Sequence, residues 1–438
     1  MASYYAFLIF IADDKSVLLI GDISYDHGQI ELVCTACHRV PFRGAEVMQE
    51  ACVDCHAEGL ELAQDSHPRS TFTDPRNVDR VKLLDARYCV SCHVEHKPRS
   101  ENPPETTQPK DFCFQCHGTI SDDRPSHTGI SFDTCANSGC HNFHDNRSLY
   151  EDFLLEHAFD KNTKDIPILP SKNSSHLYQL YNPKLRSLDS TSVDTPIDRN
   201  NFSIVREWEM SSHAKIGINC GDCHQPDKHL QWVDKPVETI CSNCHKQELS
   251  SFTQGKHGMR LSHQLDSKLT PMIPAKSHLK FNQTSQSKEL TCLGCHGAHL
   301  FDTRKAAIEG CLECHNDSHS KAYKQSPHYE LWLKEIEGTL PKNSGVSCAT
   351  CHLPRLTIME DGKKRILVEH NQNHNLRPNE KMIRPVCMQC HGLRFSIDAL
   401  ADEGLIERNF IGEASRHIPS IDMALEREAK KARASKDH

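Results

Sequence analysis

Each of the chain's 22 cysteines belongs to a pair, and a histidine follows the second member of every pair immediately. Ten of the eleven clusters read Cys-x-x-Cys-His. In the first half these are Cys34, Cys37 and His38; Cys52, Cys55 and His56; Cys89, Cys92 and His93; and Cys113, Cys116 and His117. The fifth cluster is longer, with Cys135 and Cys140 enclosing four residues before His141. The short form then returns at Cys220, Cys223 and His224; Cys241, Cys244 and His245; and Cys292, Cys295 and His296. It closes with Cys311, Cys314 and His315; Cys348, Cys351 and His352; and Cys387, Cys390 and His391.

This spacing is the attachment signature of c-type haem. Two thiols add across the porphyrin vinyl groups while the next imidazole coordinates the iron, so position and ligation are fixed together. Zinc sites and thiol redox motifs also pair their cysteines, but neither demands a histidine directly after the second cysteine each time. A disulfide framework demands none. Eleven motifs of two cysteines use all 22, which leaves no thiol for a disulfide, a zinc cluster or a catalytic nucleophile. The expected cofactor is eleven covalently attached haem c groups.

Composition points the same way. Only 37% of the 438 residues are hydrophobic and 6% aromatic, and the mean hydropathy is −0.60. A chain this polar buries too little apolar surface to offset the entropy of ordering so many residues. With 438 residues over eleven motifs, about 40 serve each haem, too few to wrap each macrocycle separately. The haems are therefore expected to pack on one another and to form the core, as a structural metal does in a small domain. The fold expected around them is mainly α with extensive coil and little β, in two lobes. Fifty-one basic against 59 acidic residues, net −8, excludes a nucleic-acid binder that works through bulk positive charge. Haem propionates add up to ~22 further negative charges, so docking to a basic patch on a redox partner is expected.

Nineteen of the 30 histidines lie outside the motifs, enough to give every iron a second imidazole. Six-coordinate iron of this kind has no open position, which suits electron transfer. His96, His144 and His299 each follow a motif histidine by three residues and can reach a neighbouring haem rather than their own. His27, His67 and His127 precede motifs in the first half, each near turn-forming residues; His213, His257, His278, His328 and His370 complete the expected distal set. His157, His319, His374 and His417 stand in reserve, and the terminal His438 is expected to be unligated.

Five motifs fall between Cys34 and His141 and six between Cys220 and His391. The cysteine-free stretch between them is rich in Ser, Asn, Asp and Pro, including Pro167, Pro170, Asn173, Ser174, Ser175 and Pro183, which marks a linker. The expected organisation is a five-haem lobe over 1–160, a linker over 161–205, and a six-haem lobe with a helical tail over 206–438. Motif intervals are too uneven for a regular solenoid. Ser148 and Glu151 form a capping-box pattern ahead of Phe153 and Leu154. Tyr323–Ile336 and the segment after Ser420 also read as helices, the latter as an exposed cap. No run approaches the ~18 apolar residues of a membrane span. Tyr4–Ala12 resembles the centre of a signal peptide without a basic segment before it. Because haem of this type is attached outside the cytoplasmic membrane, the expected location is periplasmic or extracellular, with the export signal either upstream or in this run.

With its clustered motifs and the long spacing at Cys135–His141, the first lobe resembles the class III cytochromes c, small electron carriers that usually hold four haems, not five. In the second lobe Trp208-Glu209-Met210-Ser211-Ser212-His213 leads into Cys220, and Ser326-Pro327-His328 leads to Cys348. These segments resemble the haem-packing module of the hydroxylamine oxidoreductase and pentahaem nitrite reductase superfamily. That resemblance implies a rival reading, an oxidoreductase acting on hydroxylamine, nitrite or a sulfur oxyanion at one open haem, with Arg304, His319 and Tyr323 as pocket candidates. The nitrite reductases typically replace one motif histidine by lysine, whereas all eleven motifs here end in histidine. A third reading is a subunit that polymerises into a conducting filament. The reading preferred from the sequence is an exported electron carrier with eleven haems that passes electrons between redox partner proteins and transforms no small substrate.

Overall fold

The computed structural model describes residues 7, 11, 16–21, 23–24, 26–40, 44–96, 106–136, 139–145, 151–161, 169–170, 186–195, 202–225, 231–265, 269–277, 280–360, 362–376 and 378–436. His278, His438, Ser148, most of Tyr4–Ala12 and most of the 161–205 linker lie outside these residues.

Short helices and single turns alternate with coil, and among the described residues the one sheet is a hairpin of β1, Arg355–Glu360, and β2, Lys363–Val368. Helix length follows the motifs. Cys34–Cys37, Cys220–His224, Cys292–His296 and Cys348–His352 are one-turn helices bounded by residues of their own motifs. Even the long helix Glu238–Gln254 breaks its geometry at His245, the motif histidine, where φ is −114° and ψ is 42°. The helices expected from the sequence are present as Glu151–Glu156, Pro327–Ile336 and Ser420–Ala434. Tyr323–Gln325 forms a separate turn, because Ser326 ends it and caps the next helix by accepting from Tyr329 N.

Two compact units emerge. The first comprises 1–165, 263–268 and 373–438; the second comprises 166–262 and 269–372. The eleventh motif thus sits with the first five, a different division from 206–438 as one lobe. Packing of the C-terminal helix accounts for this. Ser420–Ala434 lies against Glu151–Glu156, and Arg427 and Lys431 both bond the Glu151 carboxylate, at 2.7 and 2.9 Å. Its first turn is not an exposed cap, since Ile421 and Ala424 are buried.

Apolar burial is uneven within the first unit. Residues 373–438 bury Ile383, Leu393, Ile397, Leu400, Leu405 and Ile421, whereas the five-motif segment before residue 146 buries only Ile23, Ala51, Ala63 and Phe72 among its described hydrophobic side chains. In the second unit Trp208 packs with Val193 and Ala214. Tyr323 is buried and donates its hydroxyl to Val346 O at 2.7 Å.

Candidate haem-binding sites

One turn of helix explains the motif's local chemistry. His38, His93, His117, His315 and His391 each donate their backbone N–H to the carbonyl of the first cysteine of their own motif, four residues back, at 2.7–2.9 Å. Residues i, i+3 and i+4 of a helical turn share one face, so both thiols and the imidazole project to the same side. Two further motif turns, Cys220–His224 and Cys348–His352, are closed by reciprocal caps, Asn219 with Asp222 and Ser347 with Thr350. In the fifth motif Gly139, just before Cys140, has a φ of +82°. A side chain there would collide with Ile397, so glycine serves both the left-handed backbone and the close approach. None of the 22 cysteines, all of them described, is in a disulfide.

Among the described residues, ten motif histidines are each seen facing a second histidine ring. In the first unit the centroid separations are 6.2 Å for His38 and His96, 6.0 Å for His56 and His27, and 6.4 Å for His93 and His144. His117 faces His67 at 6.1 Å, and His141 faces His127 at 6.5 Å. In the second unit His224 faces His299 at 6.2 Å, His245 faces His213 at 6.2 Å, and His296 faces His370 at 6.3 Å. His315 faces His257 at 6.1 Å, and His352 faces His319 at 6.0 Å. Two imidazoles at this separation leave room for one metal ion between them at bonds of about 2 Å each. With two thiols beside each pair, these residues fit haem iron. The eleventh, His391, lies against Phe395 at 4.6 Å.

Nine of the expected distal histidines therefore stand opposite a motif histidine: His27, His67, His96, His127, His144, His213, His257, His299 and His370. The ring opposite His352 belongs to His319, a reserve candidate, and not to His328, which is the second residue of helix Pro327–Ile336. Asp317 places His319 by capping its turn, accepting from Ser320 N at 2.9 Å. Of the other reserves, His157 bonds Asp160, His417 bridges Asp398 and Asp422, and His374 lies in the turn Asn373–Leu376. Nothing in the sequence set His319 above these.

Local devices hold the rings. His96 and His299 occupy left-handed backbone, at φ 57° and 63°, a conformation that few residues other than glycine adopt and that turns each ring away from its own motif. Asn142 Oδ1 accepts from His144 N at 2.9 Å and shapes the turn that presents that ring. Ser211 caps the turn that carries His213, and the nearby Trp208 indole donates to Ile218 O at 3.0 Å. The β-hairpin ends at Val368, whose carbonyl bonds His370 Nδ1 at 2.8 Å. Trp232 stacks on the His224 imidazole at 4.7 Å and 7° between planes. Burial pushes the His213, His257 and His352 imidazoles down to about 4, which keeps them in the neutral, ligating form. Burial alone would raise Glu95, but hydrogen bonds from His27 and Ser24 outweigh it and hold the carboxyl at about 2.

Successive motifs touch. The Cys52 and Cys89 thiols lie side by side, and Gln49 Oε1 accepts from Cys89 N at 2.8 Å. Cys113 pairs in the same way with Cys135, Cys241 with Cys292, and Cys311 with Cys348. Gly310 allows helix Thr303–Leu312 to lie against Cys292–His296, since a Cβ at that position would come within 3.2 Å of Cys295 O.

Residues 26–118, which hold the first four motifs, match the family model described as cytochrome c3. Among curated proteins the chain is similar to a cytochrome c-552 of Bacteroides thetaiotaomicron, 26% identical over 49% of this chain and 38% of that protein. It is also similar to a cytochrome c-552 of Parabacteroides distasonis, 23% identical over 40% of this chain and 31% of the relative. The chain thus matches less than two-fifths of the length of these relatives. The chain is a multihaem c-type cytochrome. No helix of this cytochrome, among the described residues, is long and apolar enough to cross a membrane.

Proposed function

We propose that this cytochrome carries electrons along eleven haems, ten of them held between the facing histidine pairs, from one redox partner protein to another outside the cytoplasm. The observation that carries this reading is the recurrence of one geometry, a motif histidine and a distant histidine 6.0–6.5 Å apart, at ten motifs. Haem iron supplies reversible one-electron chemistry, and a second imidazole supports both oxidation states while excluding substrate from the metal. The thiol contacts between motifs support short edge-to-edge steps from the second haem to the third, the fourth to the fifth, the seventh to the eighth and the ninth to the tenth. In the second unit, the buried Trp208 and the capped His213 turn support the likeness to the haem-packing module of the hydroxylamine oxidoreductase superfamily.

Mass spectrometry and electron paramagnetic resonance of the mature protein test this proposal. The polypeptide is expected to carry the mass of eleven haems, with low-spin ferric signals from the ten histidine-paired sites. His319→Ala is expected to convert one haem to high spin. A smaller haem count, or an unchanged low-spin spectrum in that variant, would overturn the assignment.

A further inference from the structure

We propose that Glu95 and Asp65 act through His27 and His144 to make the second and third haems a low-potential pair within the chain. This rests on the reading that His27 and His144 are axial ligands, and it concerns positioning residues that touch those ligands through their far nitrogens.

The distal ligands differ in what their Nδ1 atoms meet. His67, His96 and His370 bond backbone carbonyls, those of Phe143 at 2.8 Å, Gly21 at 3.3 Å and Val368 at 2.8 Å. The motif histidine His224 likewise bonds Val233 O at 2.7 Å. His27 instead bonds Glu95 Oε1 at 2.7 Å, and His144 bonds Asp65 Oδ1 at 3.1 Å. Near His245 and His315 the Glu248 and Asp317 carboxylates stand 3.9 and 4.0 Å away, beyond hydrogen-bonding reach. His27 and His144 are thus each hydrogen-bonded through Nδ1 to a carboxylate.

Glu95 is itself fixed. Ser24 N donates to its Oε2 at 2.8 Å and Ser24 Oγ to its Oε1 at 3.0 Å. Asp65 accepts from His67 N at 3.3 Å, so the segment that places one distal histidine also orients the partner of another. An imidazole whose N–H is bonded to a carboxylate takes on imidazolate character and donates more strongly to iron. Stronger donation stabilises ferric over ferrous iron and lowers the potential. Because the Cys52 and Cys89 thiols lie side by side, the two affected haems would be neighbours. Electrons arriving at this pair would pass on to haems with ligands such as His67 and His96, which bond neutral backbone carbonyls.

The test is spectropotentiometry of the mature haem-loaded protein, with low-temperature electron paramagnetic resonance on the same samples. Glu95→Gln and Asp65→Asn keep an acceptor oxygen but remove the charge. Each is expected to raise the midpoint of one haem, increasing its reduced-to-oxidised ratio about tenfold at a fixed potential, or 59 mV for one electron. The double variant is expected to raise two haems, and all haems should stay low-spin. Unchanged midpoints with low-spin signals intact would overturn the inference and leave the ligand assignment standing. If His27→Ala left every haem low-spin, the ligand assignment itself would fall. Asp65→Asn decides the third haem independently should Glu95→Gln not assemble.

Discussion

Two segments of the first unit hold themselves together in different ways. Residues 373–436 carry one attachment motif and bury a run of large aliphatic side chains, with Ile383, Leu393 and Leu405 fully enclosed. Residues 26–145 carry five motifs, yet their longest helix, Ala45–Ala63, leaves Leu62 about half exposed and buries only Gln49, Ala51 and Ala63. The C-terminal segment has a conventional apolar core. The five-motif segment presents facing histidines and thiols where side chains would otherwise pack, so porphyrins bound there would supply its core. Where cofactor density rises, the sequence no longer needs an apolar pattern.

This contrast is broken most severely by withholding haem. In protein made without haem attachment, hydrogen exchange is expected to show residues 26–145 unprotected and 393–434 still protected; equal loss in both segments would show that the aliphatic core also depends on haem. Next in size, Leu393→Ala is expected to cost about 2–5 kcal/mol in chemical denaturation, whereas Leu62→Ala stays within about 0.5 kcal/mol. In the second unit, Tyr323→Phe removes the hydroxyl that donates to Val346 O and is expected to cost about 1 kcal/mol.

The smallest effect concerns pH. Hydrogen bonds to Asp398 and Asp422 raise His417 above its usual value. The stabilisation is therefore complete below the unfolded histidine value of about 6.5 and is lost as pH rises through the higher folded value. Thermal melts are expected to show a small advantage of wild type over His417→Gln at pH 5 that disappears by about pH 9. His417 is half exposed, and solvent screening keeps the effect small.

The motif histidines and all the cysteines were legible because their chemistry is local: one helical turn brings the three side chains together whatever surrounds them. His96, His144 and His299 could be read from their offset of three, and the left-handed backbone at His96 and His299 is the physical form of that signal. His319 against His328 could not be decided, since both are histidines in short helical segments near a motif. Asp317 capping and the fold between residues 315 and 352 settle which ring meets His352. Glu95 and Asp65 gave no sign at all. They are ordinary acids until the chain brings them to histidines 68 and 79 residues away.

The sequence by itself determined what the molecule binds and how many attachment points it offers, because thioether attachment and the first axial bond are set by residues within one turn. Tertiary structure alone decided which motif histidine each distant histidine faces, which motifs lie side by side, and that the eleventh motif lies with the first five. Those pairings depend on contacts between residues far apart in the chain, and a chain with little apolar periodicity carries almost no local record of them.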